Sequence, residues 1–514
     1  MKKIKYILPI ALGVLFLGVS CSDFLEEEIE DAVNINYLYT TADGLESGIV
    51  GLYNLQRDHI WTNDKGGLFL YTSHDLAQVR TYNDAQVYGT EYNPLRFPNN
   101  LWEENYRIID RANALIQNAP EVEMDTDERN NILAQARYFR AQAHFDLIRY
   151  YQNILLDTTA TTPENAFEDV EYKPANPEDV YNLIDTDLDF AIAQLPYDVA
   201  PGRAGQGIAR MIRAESAMWQ QDWAEAAAQC DAIIENGNYN LVGISQVFAQ
   251  NVNHSEAIYT RQYDELSGGS ESLGGGAAHS MAGYFVNRYY EMSSEMVADA
   301  ALGGNTFSWT VPNDYLKSLF DAENDQRLQF YFWPQTFDMS YIVNNPDSPN
   351  FGQPLAESEY PDNYRQYHWS LKKYFDLEKP VRTTQGYKDI IVYRLAETYL
   401  LGAEAHWRNT GNGMDAKAME YMGLVRERAG LENVSSIDQR TILDERAREL
   451  SFENHRWFTL KRMGVLVEQV NQHLVVGSNS GNLEPRQMEP YMVNLPIPQN
   501  QIDLLVTFPQ NEGY

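Results

Sequence analysis

Cys21 is the residue whose position most directly implies chemistry. It closes a segment that opens with Lys2, Lys3 and Lys5 and continues as an apolar run from Tyr6 to Val19, broken by Pro9 and Gly13. That is the build of a secretory signal, and the run is shorter than the roughly 20 apolar residues a membrane-spanning helix needs. The pattern Leu17-Gly18-Val19-Ser20-Cys21 resembles a lipobox, with Gly18 where Leu or Val is usual. A thiol in that place is the group that bacterial lipoprotein processing acylates. The expectation is a signal peptide over residues 1–20 and a mature chain held to the membrane by lipid on Cys21. Several acyl chains would make the anchor durable, because each buried CH₂ adds about 0.8 kcal/mol. The only other cysteine, Cys230, lies among apolar neighbours in a helical pattern from Trp223 to Ile234; it is expected in the core, which leaves no disulfide.

Catalytic chemistry has no comparable signature. The sequence has no Gly-x-Ser-x-Gly, His-Glu-x-x-His, Gly-x-x-x-x-Gly-Lys-Ser/Thr or Cys-x-x-Cys, so the common nucleophile, zinc and phosphate-cradling arrangements are missing. The nine histidines are spread thinly, and His455 reads as a helix-end residue rather than a ligand. Asp125-Thr-Asp127-Glu128 has the start of a calcium loop but neither its glycine nor its closing glutamate; a helix cap before Arg129 accounts for it better. Glu445, Glu449 and Glu453, with Arg446 and Arg448 interleaved, have the spacing of structural ion pairs. A glycosidase needs only two carboxylates, and among 73 acidic residues a motif cannot exclude such a pair. No catalytic residue, metal ligand or cofactor is assigned.

Charge narrows the partners. The formal net charge is −34, and residues 1–20 carry three lysines away with them. Such a surface repels phosphate backbones, so nucleic acid is not expected as a partner. A neutral ligand suits it better. Tyrosines (34) outnumber phenylalanines (20), and a tyrosine offers an apolar face with a polar tip.

The elements that would position a site are mostly helical. Residues 21–40, with the acidic run Ser22 to Asp31, read as a solvated tether. Helical patterning begins near Thr41, and residues 58–98 read as loop. Apolar stripes at helical spacing predict helices over 99–118 and 127–152, parted by Pro120, and over 177–195, opened by Pro177 at a favoured first position. Ile208 to Asn236 gives two short helices around Gln220-Gln-Asp222, rich in small residues, which match a tetratricopeptide hairpin. A similar pair is expected at 390–408 and 413–429. Between the hairpins, residues 237–389 carry Gly268-Gly269, Gly274-Gly275-Gly276, Gly303-Gly304 and three tryptophans (Trp309, Trp333, Trp369) among tyrosines. Glycine-rich irregular chain on a rigid frame is where binding loops usually sit.

Four stretches resemble the SusD/RagB family of outer-membrane lipoproteins. They are Cys21-Ser-Asp-Phe-Leu-Glu26, the arginine-and-alanine segment Ala134 to Tyr150, the run from Tyr393 to Ala405 with Val425 to Gly430, and Ile442 to Trp457 with Leu460 to Gly464 and Leu495-Pro-Ile-Pro498 to Tyr514. The resemblance implies a mostly α, SusD-like fold with scattered tetratricopeptide-like hairpins and long binding loops, its parts 41–236 and 237–514 forming one unit. It also implies a surface-exposed lipoprotein of the outer membrane, without enzymatic activity, that takes part in polysaccharide utilisation. Such a protein captures an oligosaccharide and passes it to a SusC-like TonB-dependent transporter. Peptide capture by a RagB-like lid is the alternative, and a surface glycosidase a remoter one. Arg137, Arg140, Arg446 and Arg448 lie on helices with carboxylates within a turn and should hold the scaffold. By position in the family, Arg80, Tyr82 and Asn83, and Tyr284, Tyr289, Tyr290 and Trp309, are the candidates for ligand contact.

Overall fold

A computed structural model of the chain describes residues 35–514, apart from 60–67, 81–87, 90–91, 96–99, 163–164, 167–170, 265–277, 334–340, 360–364, 380 and 478–481. Cys21 and the acidic run after it therefore lie outside the described residues. The segment expected as tether does not extend to residue 40: Ile35–Thr40 form a helix (α1) and Tyr39 packs against the core. Thr41 then caps α2 (Ala42–His59), its hydroxyl accepting from the Gly44 amide at 3.1 Å. Residues 58–98 are not simply loop either. Leu68 to Val79 are buried throughout, with a helical turn at Phe69–Thr72 and the strand β1 (Ala77–Val79). An alternating pattern is missing here because the strand is covered on both faces.

The helices α3 (Asn100–Asn118), α4 (Thr126–Tyr150) and α5 (Pro177–Gln194) stack in sequence. The carboxylate of Asp125 accepts from the amides of Asp127 and Glu128, so the cap reading holds. Asn176 caps α5, with Pro177 in its first turn. α4 is buried nearly all round, which forces its charged residues to find partners on its neighbours. Arg140 does so on both sides. Its Nε and Nη2 donate to Asp187 of α5 at 2.7 and 2.9 Å, and its Nη1 donates to Asn113 of α3 at 3.0 Å. Arg137 reaches the same Asp187 at 3.1 Å. The partner expected within a turn of its own helix is thus on another helix, and one arginine staples three.

The expected hairpin is present as α6 (Gln206–Trp219) and α7 (Trp223–Asn236), with Asp222 capping α7. After it come the strands β2 (Ala257–Arg261) and β3 (Thr310–Pro312). The second hairpin differs from expectation at its start. Ile390–Arg394 is a strand (β4) paired antiparallel with β2, and the helix α8 begins only at Leu395, running to Thr410. The run Ile390-Ile391-Val392-Tyr393 is β-branched and aromatic, the composition that favours a pleated surface. α9 (Ala416–Arg428) completes the pair. The two hairpins, far apart in sequence, pack on each other at Cys230 and Gly402. A Cβ on Gly402 would lie 3.2 Å from that of Cys230 and 3.0 Å from the ring of Tyr421, so glycine permits the approach. Cys230 is fully buried, as expected.

The C-terminal part adds α10 (Gln439–Leu450), α11 (Arg456–Arg462) and the strands β5 (Val475–Gly477) and β6 (Leu483–Pro485). A four-stranded sheet runs in the order β3-β1-β5-β6, in which only β1 and β5 are parallel. Its central strand comes from near residue 78 and its neighbours from near residues 311 and 476. The same part of the chain takes part in a buried ion-pair network. Glu445 meets Arg327 at 2.7 Å, Arg426 at 2.6 Å and Arg448 at 2.7 Å. Glu449 meets Arg327 at 3.0 Å and Arg394 at 2.6 Å, and is bonded also to Arg428. Glu453 meets Lys373 at 2.6 Å and Arg394 at 2.7 Å. The three glutamates are ion-paired as their spacing suggests, yet most of the partners are remote in sequence; Arg446, one of the interleaved arginines, pairs with Glu397 of α8 at 3.0 Å.

Candidate functional site

The sheet places the candidate residues. β1 and β3 pair antiparallel with Val79 opposite Thr310, and the Arg80 amide donates to the Trp309 carbonyl at 2.7 Å, carrying the ladder one residue further. The Arg80 guanidinium lies over the indole of Trp309, 4.8 Å from its centroid, and donates to the Phe307 carbonyl at 2.7 Å. A cation on the open π face of a tryptophan is worth about 0.5–2 kcal/mol, depending on exposure. Here it also fixes the ring's orientation.

The backbone under this pair is strained and heavily held. Ser308 has φ +51°, a left-handed conformation that costs a residue with a side chain about 1–3 kcal/mol. On either side, Phe307 donates to the Gly283 carbonyl and Trp309 to the Tyr284 carbonyl, both at 2.8 Å. The Ser308 side chain meets His368 Nε2 at 3.2 Å, and Nδ1 of that histidine lies 2.7 Å from the Trp369 carbonyl. A carbonyl can only accept, so Nδ1 carries the proton and Nε2 accepts from the Ser308 hydroxyl. Burial pushes His368 down to about 3, so the ring is neutral in its working range. This serine–histidine contact could be taken for a nucleophile and base. Both are buried, however, and the histidine is oriented by a carbonyl rather than a carboxylate. What it does is hold the turn that presents Trp309.

The remaining candidates divide by depth. Trp309 is half-buried, leaving part of its ring to solvent beside Arg80. Tyr290 is half-buried as well, its hydroxyl donating to the Thr306 carbonyl and accepting from the Thr306 amide, both at 3.3 Å. Tyr284 and Tyr289 are buried, at 3% and 0% exposure, so the structure puts them under the surface where a ligand does not reach. Tyr284 packs edge-on to Trp309, and the Tyr289 hydroxyl accepts from the Asp299 amide at 2.7 Å. Tyr82 and Asn83 lie outside the described residues. The structure thus brings Arg80 and Trp309 together across 229 residues, with Tyr284 as support. Sequence reasoning missed Phe307, Ser308 and His368; a buried histidine serving a strained serine leaves no spacing to find.

Among the described residues, one set has the make-up of a metal site: Glu215, Glu397 and His455, whose nearest atoms lie within 4.8 Å of one another. It resembles a metal site less once its surroundings are counted. Arg149 donates to Glu215 at 3.2 Å, Arg446 to Glu397 at 3.0 Å, and His455 Nε2 is 3.0 Å from Glu397. The carboxylates are already neutralised by guanidinium, and a cation added there would meet repulsion. His455 is thus the residue just before α11, and it also tethers α8.

The site is thus a cation-capped tryptophan on a strained, heavily held turn, carried by a helical scaffold of stacked hairpins. The chain belongs to the SusD family, whose model matches residues 244–514; a second model, described as starch-binding associating with outer membrane, matches residues 23–203. It is similar to SusD-like protein P25 of Formosa agariphila, at 25% identity over 542 aligned positions and 98% of both chains. Over 31% of its length it is 31% identical to the starch-binding protein SusD of Bacteroides thetaiotaomicron. In fold it is similar to a laminarin-binding SusD-like protein, with a TM-score of 0.73 and 23% identity over 93% of this chain and 100% of that one. The surface glycan-binding protein A of B. thetaiotaomicron in complex with laminarihexaose gives a TM-score of 0.71 and 20% identity over 92% and 100%.

Proposed function

We propose that the protein captures an oligosaccharide at the cell surface and delivers it, without catalysis, to a SusC-like TonB-dependent transporter. The observation that carries the reading is the Arg80–Trp309 platform. An indole face suits the C–H face of a sugar ring, and the neighbouring guanidinium supplies donors for its hydroxyls. The turn at Ser308 fixes the ring before ligand arrives, which lowers the entropy lost on binding. Tyr82 and Asn83, two and three residues beyond Arg80, would extend the contact, and Tyr290 would flank it. Two structural relatives, one a laminarin-binding protein and one in complex with laminarihexaose, support a neutral glycan. The outer-membrane association in the family description supports anchoring there through lipid on Cys21. Among the described residues no helix is long and apolar enough to cross a membrane.

Calorimetry of residues 22–514 against neutral oligosaccharides and short peptides tests this. Binding of at least one glycan, weakened by Trp309→Ala, is the expected result. Peptide binding with no glycan bound would sink the glycan reading in favour of a RagB-like lid, and release of reducing sugar from a polysaccharide would show an enzyme.

A further inference from the structure

A second concave region lies where α2, the α5–α6 connection and β2 meet, and none of the platform residues lines it. Two adjoining cavities of about 270 and 210 Å³ share Pro201, Gly202, Arg203, Tyr259 and Thr260 as walls. Ligand sites typically enclose about 300–1,000 Å³, so the pair together has the size of a site for a few sugar rings.

The connection between α5 and α6 is fixed where it crosses the groove. The Ala204 amide donates to the Tyr53 hydroxyl at 2.7 Å, and that hydroxyl donates onward to Gln135 at 2.8 Å. Arg203 lies 5.0 Å over the Tyr53 ring and donates to Glu46 at 2.8 Å. Gly202 has φ +81°, and a Cβ there would stand 2.6 Å from Cγ of Gln262. Only glycine lets the loop come so close to the strand, and the result is a bridge between the two cavities.

The chemistry of the floor selects the ligand. Thr260 donates its hydroxyl hydrogen to Asn253 Oδ1 at 2.8 Å. Gln262 commits both amide hydrogens, to Asn253 Oδ1 at 3.1 Å and Thr260 Oγ1 at 2.8 Å. Asn253 commits both of its own, to Gln262 at 3.3 Å and Asp389 at 2.7 Å. Every side-chain hydrogen of the three is spent within the set or on Asp389, so toward a ligand these residues can only accept, through Thr260 Oγ1 and Gln262 Oε1. Tyr197 and Tyr239 also line the first cavity, their rings 6.3 Å apart at 61° in an edge-to-face pair. Arg203 in the wall is neutralised by Glu46, and the chain's charge of −34 opposes an anion. A neutral molecule rich in hydroxyl donors with apolar C–H faces meets all of these conditions.

We propose that this groove is a second glycan-binding site, separate from the Arg80–Trp309 platform; the proposal rests on the glycan reading of the protein. Two sites on one chain would let a polysaccharide be held at two points, which raises retention without new contacts at either.

Equilibrium dialysis of residues 22–514 with laminarihexaose, maltohexaose, xylohexaose and mannohexaose tests it by stoichiometry. At a ligand concentration too low to fill a platform weakened roughly 30-fold, Trp309→Ala is expected to keep one bound hexasaccharide per chain. Adding Ala200→Trp, at an exposed position on the groove's rim, should abolish that remaining binding, and adding Tyr197→Ala should weaken it at least tenfold. Thermal melts of the variants confirm that they are folded. If Trp309→Ala alone removes all binding, or if the residual binding survives both groove substitutions, the second site is refuted while the platform reading stands. If the unaltered protein binds none of the four probes, both readings fall.

Discussion

Trp309 sits at the junction of a strand end and a strained turn, so its ring is oriented by the chain rather than by the ligand. Replacing it with alanine removes the platform but touches no buried polar group. The expected loss is about 2 kcal/mol in binding, roughly 30-fold in Kd, with the melting temperature nearly unchanged; calorimetry and a thermal melt distinguish this from unfolding. Ser308→Ala acts differently. It leaves His368 Nε2 buried without its donor, for about 1–3 kcal/mol of stability, while the turn keeps its strain. Urea titration should show that loss, and ligand affinity should fall with it. At this scale the family resemblance put Arg80 and Trp309 among the candidates by position, but no spacing in the sequence shows that they meet. The depth of Tyr289 was not, since a tyrosine in a loop sequence looks the same whether it faces solvent or lies beneath the surface.

The element most dependent on remote partners is α10. Glu445 and Glu449 project from it into a cluster of guanidinium groups, and Arg394 at the end of β4 joins Glu256, Glu449 and Glu453. Arg394→Met would leave those carboxylates buried with fewer countercharges, and breaking such a set costs about 3–5 kcal/mol. Chemical denaturation should report it. The same network predicts an acid limit. Burial pushes the Glu445 carboxyl up, but Arg327, Arg448 and Arg426 outweigh it and hold the group at about 2, against an ordinary value near 4.3. A lowered folded-state value gives stability that is fully present above the ordinary value and lost as the pH falls from there toward 2. Unfolding free energy measured against pH should therefore fall steeply between about pH 5 and pH 2, adding to a decline that begins near pH 6.5, where unfolding lets the buried neutral His368 take up a proton; an unchanged stability at pH 3 would contradict the assignment. Periodicity located the helices to within a few residues, because their stripes are long. It read Ile390–Arg394 as helix because a five-residue apolar run has no period of its own, and pairing with β2 decided the matter.

For the whole molecule, the prediction concerns attachment. If Cys21 carries the lipid, Cys21→Ala should release the protein from the membrane fraction while leaving its melting temperature unchanged, since the position precedes the first helix among the described residues, Ile35–Thr40. Fractionation of cells expressing the variant checks this, and firm attachment of the variant would contradict it. The family was legible across the chain because scaffold residues are fixed by partners, Arg140 by Asp187 and Arg446 by Glu397. Ligand contacts obey no such mutual constraint, and the groove beside Gly202 left no trace in the sequence that its residues could be read together.

The sheet order β3-β1-β5-β6 has a consequence for how the molecule comes into being. Its central strand, near residue 78, waits for partners near residues 311 and 476. Arg456 closes on Asp75 and Trp457 on Tyr88 across 381 and 369 residues. Contacts of such sequence separation form late and slowly, because long loops must close before any contact rewards them. The stacked helices of the N-terminal part are local and can form early, whereas the Trp309 platform hangs on the sheet. Recovery of ligand binding during refolding should consequently lag behind recovery of helical circular dichroism, making the binding site a clock for the final step of assembly.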